Sequence, residues 1–161
     1  MLKITNLNIK NKKVLIRVDY NVPIENGTII NDFRIKSSME TINYCLSQNC
    51  SIVLMSHLGR PIDNSTQYSL SPVLEYLEDH FNTYIHFSDD CISDESIRIS
   101  NNLLPREIHL LENLRYYDGE LTNDKIFAKK LSQHGDIYIC DSFGTSHRKH
   151  ASNSGILSFF K

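Results

Sequence analysis

The sequence is poor in the residues that build nucleotide-binding loops. It has no tryptophan, and among its 161 residues only six are glycine, four are proline and four are cysteine. Six scattered glycines form neither a G-x-G-x-x-G motif nor a G-x-x-x-x-G-K-[ST] motif, which are the common phosphate-binding loops of nucleotide sites. We therefore predict that this chain has no nucleotide-binding residues of its own.

The cysteines do not have the spacing of a metal site. No two of them form a C-x-x-C pair, and a zinc site needs close pairs of this kind. We expect reduced, mostly buried thiols, and we predict no metal ligands in the chain. The four residues are Cys45, Cys50, Cys91 and Cys140.

Charge and long apolar runs are also scarce. The net charge is −2, from 17 Lys and Arg against 19 Asp and Glu, which gives no bulk attraction to nucleic acid or to an anionic membrane. No apolar run approaches the roughly 20 residues that cross a bilayer, and residues 1–13 lack the apolar core of a signal peptide. With 40% apolar and 22% charged residues, the chain has the composition of one globular domain. We expect a cytoplasmic monomer.

Apolar patterns along the chain alternate between strand and helix. Helices are predicted to begin at Asp32, at Ser71 as an N-cap, near Asp90, and at Thr122 as an N-cap. Strands are predicted at residues 14–18, 51–55, 84–87, 108–111 and 136–140. This alternation predicts right-handed βαβ units. The fold class is therefore α/β, a three-layer Rossmann-like domain with a mainly parallel sheet flanked by helices.

Arginines follow three of the predicted strands. Arg60 follows strand 51–55, Arg115 follows strand 108–111, and Arg148 follows strand 136–140, while Arg34 lies at the start of the first helix. Ligands of open α/β sheets bind beyond the carboxyl ends of the strands, where these loops meet. Guanidinium groups that converge repel one another unless an anion lies between them. The pattern predicts a site for a small, highly charged anion, although each arginine alone could equally be a surface or ion-paired residue.

Other polar side chains are expected at the same edge. His57 comes two residues after a strand, and His147 and His150 lie in the loop of the third arginine. An imidazole can donate a hydrogen bond to a ligand oxygen. Asp19 and Asn21 follow the first strand. Asp19 either accepts a hydrogen bond from a ligand hydroxyl or caps the turn in which it lies.

Five sequence motifs resemble those of the phosphoglycerate kinase family, in the same order and at similar spacing. They are residues 17–23 (RVDYNVP), 31–35 (NDFRI), 54–61 (LMSHLGRP), 110–115 (LLENLR) and 136–150 (DIYICDSFGTSHRKH). The resemblance implies that residues 1–161 form the N-terminal, 3-phosphoglycerate-binding domain of such a kinase. It also implies that the nucleotide-binding C-terminal domain is absent from this chain.

The resemblance also implies which residues bind the substrate. His57, Arg60, Arg115 and Arg148 correspond to the basic patch that holds the substrate phosphate and its surroundings. Arg34 is the implied catalytic residue, nearest the transferring phosphoryl group. The complete set implied to bind 3-phosphoglycerate or 1,3-bisphosphoglycerate is Asp19, Asn21, Arg34, His57, Arg60, Arg115 and Arg148.

The implied reaction moves phosphate reversibly between ATP and the carboxylate of 3-phosphoglycerate, with magnesium, in glycolysis. Mg-ATP and Mg-ADP are cofactors of the full enzyme only. We expect this chain alone to bind 3-phosphoglycerate weakly and not to turn it over, because the second domain is missing.

Two other interpretations remain open at this point. A natural truncated paralogue would act as a non-catalytic binding or interaction module, whereas the apolar segment 155–161 favours a piece of a longer chain. A phosphatase of the haloacid dehalogenase type would use Asp19 as its nucleophile and Asp89 with Asp90 to hold magnesium.

Overall fold

Strands and helices alternate through residues 3–161, which the structure, a computed structural model, describes. Met1 and Leu2, part of the N-terminal stretch considered above, lie outside the described residues. Within the described part, no helix is both long and apolar enough for a bilayer crossing. The elements are β1 (Lys13–Val18), β2 (Ile24–Glu25), β3 (Thr28–Ile29), α1 (Phe33–Ser37), α2 (Met39–Ser47), β4 (Ser51–Met55), α3 (Ser71–Phe81), β5 (His86–Ser88), α4 (Asp94–Asn101), β6 (Ile108–Leu111), α5 (Asp118–Leu121), α6 (Lys125–Ser132) and β7 (Ile137–Asp141).

Five of these strands form one parallel sheet in the order β5-β6-β4-β1-β7. The register places Ile16 of β1 between Leu54 of β4 and Ile139 of β7. β4 is buried along its whole length, which explains its continuous apolar run. β2 and β3 form a separate antiparallel hairpin, whose turn has Asn26 and Gly27 at positive φ.

Side chains of alternate strand residues fill two cores, one on each face of the sheet. Val14, Ile16 and Val18 pack on one face with the buried residues of α1, α2 and α3. Leu15 and Val53 pack on the opposite face with the buried residues of α6. A sheet with helices on both faces is a three-layer α/β arrangement, and the predicted Rossmann-like fold class is confirmed.

The predicted helices differ from the observed ones at four places. The helix predicted to begin near Asp90 begins at Asp94. The first predicted helix is divided at Ser38, whose hydroxyl donates to the carbonyl of Ile35 at 2.7 Å and contacts the Tyr20 hydroxyl at 3.1 Å. This buried hydroxyl pair joins the end of α1 to Tyr20 in the loop after β1. The predicted apolar stripe nevertheless faces the core, with Ile35 and Ile42 fully buried.

The predicted caps of the two later helices were each wrong by one to two residues. Ser71 is the first residue of α3 rather than its cap, and the preceding Leu70 amide donates to a distant carboxylate, Glu112 Oε1, at 2.8 Å. Thr122 follows α5, and α6 is capped instead by Asp124, whose Oδ1 accepts from the Phe127 amide at 2.7 Å. The start of α3 thus depends on a side-chain oxygen far away in the sequence, whereas α6 has a local cap of a favoured residue type, two positions after the predicted one.

The cysteine prediction holds for most of the thiols. Cys45, Cys50 and Cys91 are buried, whereas Cys140 on the edge strand β7 is exposed. Nothing in residues 3–161 groups three or more His, Cys, Asp or Glu side chains as metal ligands would be grouped.

Candidate anion-binding cleft

The structure brings all seven predicted site residues into one cleft of about 310 Å³. The cleft lies at the carboxyl edge of the sheet, where the loops after β1, β4, β6 and β7 meet the start of α1. We call it the basic cleft. It is lined by Asp19, Asn21, Arg34, His57, Gly59, Arg60, Arg115, Gly144, Thr145 and Arg148.

At one side of the basic cleft, Asp19 holds Arg34. Arg34 Nη1 donates to Asp19 Oδ1 at 3.2 Å and to Oδ2 at 3.1 Å. Asp19 Oδ1 also accepts from the Asn21 amide at 3.2 Å, which is the turn-capping role considered for it. The Arg34 side chain remains 51% exposed, so its other nitrogens stay open to solvent and to a ligand.

In the middle of the basic cleft, the loop after β4 is fixed through Gly59. Its amide donates to Asn21 Oδ1 at 2.9 Å, and its carbonyl accepts from Arg115 Nη1 at 2.8 Å. Gly59 has a φ of +60°, and a Cβ there would lie 2.6 Å from ring carbons of Tyr68. Only glycine fits this position without strain, which explains why the loop carries one here.

The remaining arginines have donors that the described residues do not satisfy. The side chains of Arg60 and Arg148 make no hydrogen bond or ion pair within residues 3–161, and Arg115 Nε is buried without a partner. Burial lowers the pKa of Arg115, and the charges of Arg148, Arg17 and Arg60 lower it further. Buried donors of native proteins are normally paired, so Arg115 Nε is an exception, whereas Arg60 is exposed and Arg148 is half-buried, with donors open to solvent. These unpaired donors, held close together with like charge, indicate a site for an anion.

His57 is neutral at the wall of the basic cleft. The residue is 2% exposed, and its Nδ1 lies 3.0 Å from Arg17 Nη2. Burial lowers the pKa of His57 to about 2, assisted by the charges of Arg17, Arg115, Arg148 and His150. The ring can therefore offer a ligand a hydrogen bond but not a charge.

A buried polar network beneath the cleft was not predicted. Arg17 in β1 is 1% exposed, and its Nε donates to Ser152 Oγ at 2.9 Å. Ser152 donates in turn to the buried Glu120, from Oγ to Oε1 at 2.6 Å and from its amide to Oε2 at 2.9 Å. A lone arginine inside an apolar strand was the one available sequence signal for this network.

The two histidines of the β7 loop are placed differently. His147 is exposed and does not line the basic cleft. His150 lines an adjoining cleft of about 300 Å³ together with Arg60, Arg115 and Arg148. Its Nδ1 lies 3.8 Å from Glu120 Oε1. The arginine surface thus extends past the basic cleft toward His150.

The residues of the phosphatase hypothesis lie apart. Asp19 follows β1, whereas Asp89 and Asp90 follow β5, and two strands of the sheet separate β5 from β1. Asp89 and Asp90 belong to another pocket, which we call the acidic pocket, lined by Asn64, Thr66, Ser69, Asp89, Asp90, Glu112, Tyr116 and Tyr117. This separation argues against a shared nucleophile and magnesium site.

Sequence comparison finds phosphoglycerate kinases. The family profile described as phosphoglycerate kinase matches residues 4–161. A phosphoglycerate kinase of Aquifex aeolicus (strain VF5) is 43% identical over 157 residues, covering 97% of this chain and 40% of that protein. A phosphoglycerate kinase of Chlamydia pneumoniae is 46% identical over 155 residues, covering 94% of this chain and 39% of that protein.

Solved structures give the same result. The phosphoglycerate kinase structure from Coxiella burnetii matches with a TM-score of 0.87 at 35% identity, covering 99% of this chain and 40% of that one. The structure from Pyrococcus horikoshii OT3 matches with a TM-score of 0.89 at 27% identity, covering 99% and 41%. This chain spans about two fifths of the length of these relatives. It belongs to the phosphoglycerate kinase family.

Proposed function

We propose that the basic cleft binds 3-phosphoglycerate or 1,3-bisphosphoglycerate. Residues 1–161 would then be the substrate-binding, N-terminal domain of a phosphoglycerate kinase. The observation that carries this proposal is the set of unpaired guanidinium donors of Arg60, Arg115 and Arg148 in one cleft. A phosphate group accepts hydrogen bonds from several such forks at once and also neutralises their charge.

The polar arrangement of the cleft suits the three parts of 3-phosphoglycerate. The phosphate would lie against Arg60, Arg115 and Arg148, with His57 as an additional donor. The hydroxyl would meet Asp19 and Asn21, which also line the cleft. The carboxylate, which is the phosphoryl acceptor, would lie toward Arg34.

Arg34 is the residue we propose to act in the transfer step. Phosphoryl transfer depends mainly on positioning and on stabilising the charge of the transferring group. Asp19 holds Arg34 by a single nitrogen, Nη1, so the rest of the guanidinium is free to meet that charge. Mg-ATP, bound by another domain, would supply the phosphoryl group.

The chain alone should bind substrate weakly and transfer no phosphate. It carries none of the common nucleotide-binding motifs, so the proposed catalytic partner is the C-terminal domain of the full enzyme. A coupled assay with Mg-ATP, 3-phosphoglycerate and the pure chain should show no ADP formation above background. ADP formation that requires 3-phosphoglycerate would overturn this part of the proposal.

Calorimetric titration with 3-phosphoglycerate tests binding directly. The chain should show saturable binding that weakens with salt, since the cleft is partly exposed. Arg60→Ala should weaken binding by about tenfold or more, because a hydrogen bond to a charged group contributes about 1.5–3 kcal/mol.

Arg98→Ala is the matched control. It removes an arginine from α4, where the side chain is 61% exposed and pairs with Glu95, far from the basic cleft. Its affinity should equal that of the unaltered chain. Equal losses of affinity in both variants would mean that binding depends on the net charge of the chain and not on Arg60 itself. The absence of a heat of binding at millimolar 3-phosphoglycerate would contradict the proposal.

A further inference from the structure

The contact between Arg17 and His57 determines where the His57 proton lies. Arg17 Nη2 lies 3.0 Å from His57 Nδ1, with both side chains buried. A guanidinium has donors and no acceptor, so Nδ1 must be the acceptor in this hydrogen bond. Nδ1 therefore carries no proton, and the proton of a neutral ring is on Nε2.

We propose that Arg17 is a positioning residue, which fixes His57 as the neutral tautomer protonated on Nε2 and so gives the basic cleft a directed N–H donor. His57 lines the cleft, and Nε2 has no hydrogen-bond partner in residues 3–161. The identity of the anion that this donor meets rests on the proposed function, whereas the tautomer itself does not.

Arg17 is in turn held from three directions. Nε donates to Ser152 Oγ, Nη1 donates to the Val18 carbonyl, and Nη2 donates to His57. The buried carboxylate of Glu120 accepts from Ser152 and supplies the nearby negative charge. With its bonds distributed in this way, the guanidinium has little freedom to turn, and the acceptor role of Nδ1 is permanent.

The charges around His57 act in the same direction. Arg17, Arg115, Arg148 and His150 all disfavour a second proton on the ring. A neutral N–H donor keeps the same strength throughout the range in which an ordinary histidine would titrate. The cleft thereby retains a directional contact that does not change between mildly acidic and neutral pH.

Nitrogen NMR of the ligand-free chain tests the tautomer without any substrate. Spectra of uniformly ¹⁵N-labelled protein, with His57 assigned through His57→Gln, should show a pyridine-type Nδ1 and a pyrrole-type Nε2. This pattern should persist from about pH 8 to about pH 5. A pyrrole-type Nδ1, or a His57 ring that protonates near pH 6, would overturn the proposal.

A charge-balanced variant tests the part played by Arg17. Arg17→Met with Glu120→Gln removes the donor together with the buried carboxylate, so that neither charge is left unpaired. His57 should then titrate closer to its ordinary pKa and show a mixture of tautomers. Glu120→Gln alone is the control and should keep the Nδ1 acceptor pattern.

A folded double variant with an unchanged His57 spectrum would refute the role of Arg17. Absent 3-phosphoglycerate binding with the expected spectrum would instead reject the proposed function alone.

Discussion

The basic cleft and the acidic pocket are similar in size and lie at the same edge of the sheet, but they satisfy their charges differently. Their volumes are about 310 and 320 Å³. In the acidic pocket, Glu112 accepts from Ser69 Oγ at 2.6 Å and from the amides of Leu70 and Asn113 at 2.8 Å. In the basic cleft, by contrast, Arg60 and Arg148 have no such partners within the described residues.

This difference separates a structural cavity from a binding site more clearly than size does. The Glu112 carboxylate already accepts hydrogen bonds that connect the end of β6 to the start of α3, so it has little capacity left to bind a ligand. Arg60, Arg115 and Arg148 make few hydrogen bonds to the rest of the fold, and their positive charges repel one another. The buried carboxylate of the acidic pocket is already satisfied and holds the fold together, whereas three arginines of the basic cleft keep donors that are open to a ligand.

Glu112→Ala should sharpen this comparison with the largest effect. The change leaves two amides and a hydroxyl without their acceptor in a site where Glu112 is 7% exposed. We expect a loss of about 3 kcal/mol in the free energy of unfolding, measured with urea. The folded fraction should still bind 3-phosphoglycerate.

Asp89→Ala provides the comparison within the same pocket. Asp89 is exposed, and its side chain accepts no hydrogen bond from the described residues. Its unfolding free energy should change by less than about 0.5 kcal/mol. A small loss for Glu112→Ala, or an equal loss for both variants, would mean that the acidic pocket is not a structural element.

The fold followed from the sequence because its patterns are strong. The continuous apolar run of β4 and the helical stripe through Ile35 and Ile42 each reflect one buried surface. The start of α3 did not follow, because its hydrogen-bond partner is distant in the sequence. Glu112 meets the Leu70 amide across 42 positions of sequence, and no local pattern contains that contact.

The residues that line the basic cleft were easier to predict than the buried polar network beneath it. Arg60, Arg115 and Arg148 each follow a strand, and parallel topology brings such residues together. Arg17 and Glu120, in contrast, act through Ser152, which lies 135 positions from Arg17 in the chain. Nothing in the spacing of these three residues indicates that they meet.

Acid should weaken the region beside the acidic pocket through two buried histidines. The Cys91 carbonyl can only accept, so His134 Nε2 donates to it at 2.7 Å, and His134 Nδ1 accepts from Ser100. Ser100 then accepts from His109 Nδ1, and the Ser88 hydroxyl donates to His109 Nε2. The bonds in which His134 Nδ1 and His109 Nε2 accept require both rings to be neutral, because a protonated ring has no acceptor.

Burial lowers the pKa of His109 to about 3 and that of His134 to about 4. In the unfolded chain these two histidines bind protons near pH 6.5, the ordinary histidine pKa. Below that pH the unfolded chain therefore holds more protons than the folded chain. Stability therefore falls as pH falls from 6.5, with each histidine contributing about 1 kcal/mol between pH 6.5 and pH 5.5.

His109→Asn measures one histidine's share of this loss. The variant is less stable at every pH, but its unfolding free energy should fall by about 1 kcal/mol less between pH 6.5 and pH 5.5 than that of the unaltered chain. His80→Asn, at a surface position of α3, should keep the full acid loss. If His109→Asn has the same pH dependence as the unaltered chain, the relay is not the acid-sensitive element.

Arg148→Ala should produce the smallest change in the free energy of unfolding. Its pattern should be the opposite of that of Glu112→Ala, because it should weaken binding and spare stability. Of the arginine charges that lower the pKa of Arg115, that of Arg148 is the largest. Removing it should leave the ligand-free chain equally stable or more stable by up to about 0.5 kcal/mol, since exposed charges interact weakly. The same variant should bind 3-phosphoglycerate about tenfold more weakly.

Glu112→Ala in the acidic pocket should lower stability and spare binding. The opposite result for Arg148→Ala would show that the fold keeps these arginines close together, despite their mutual repulsion, in order to bind the ligand. A loss of stability above about 1 kcal/mol in Arg148→Ala, measured beside Arg98→Ala, would mean instead that Arg148 supports the fold.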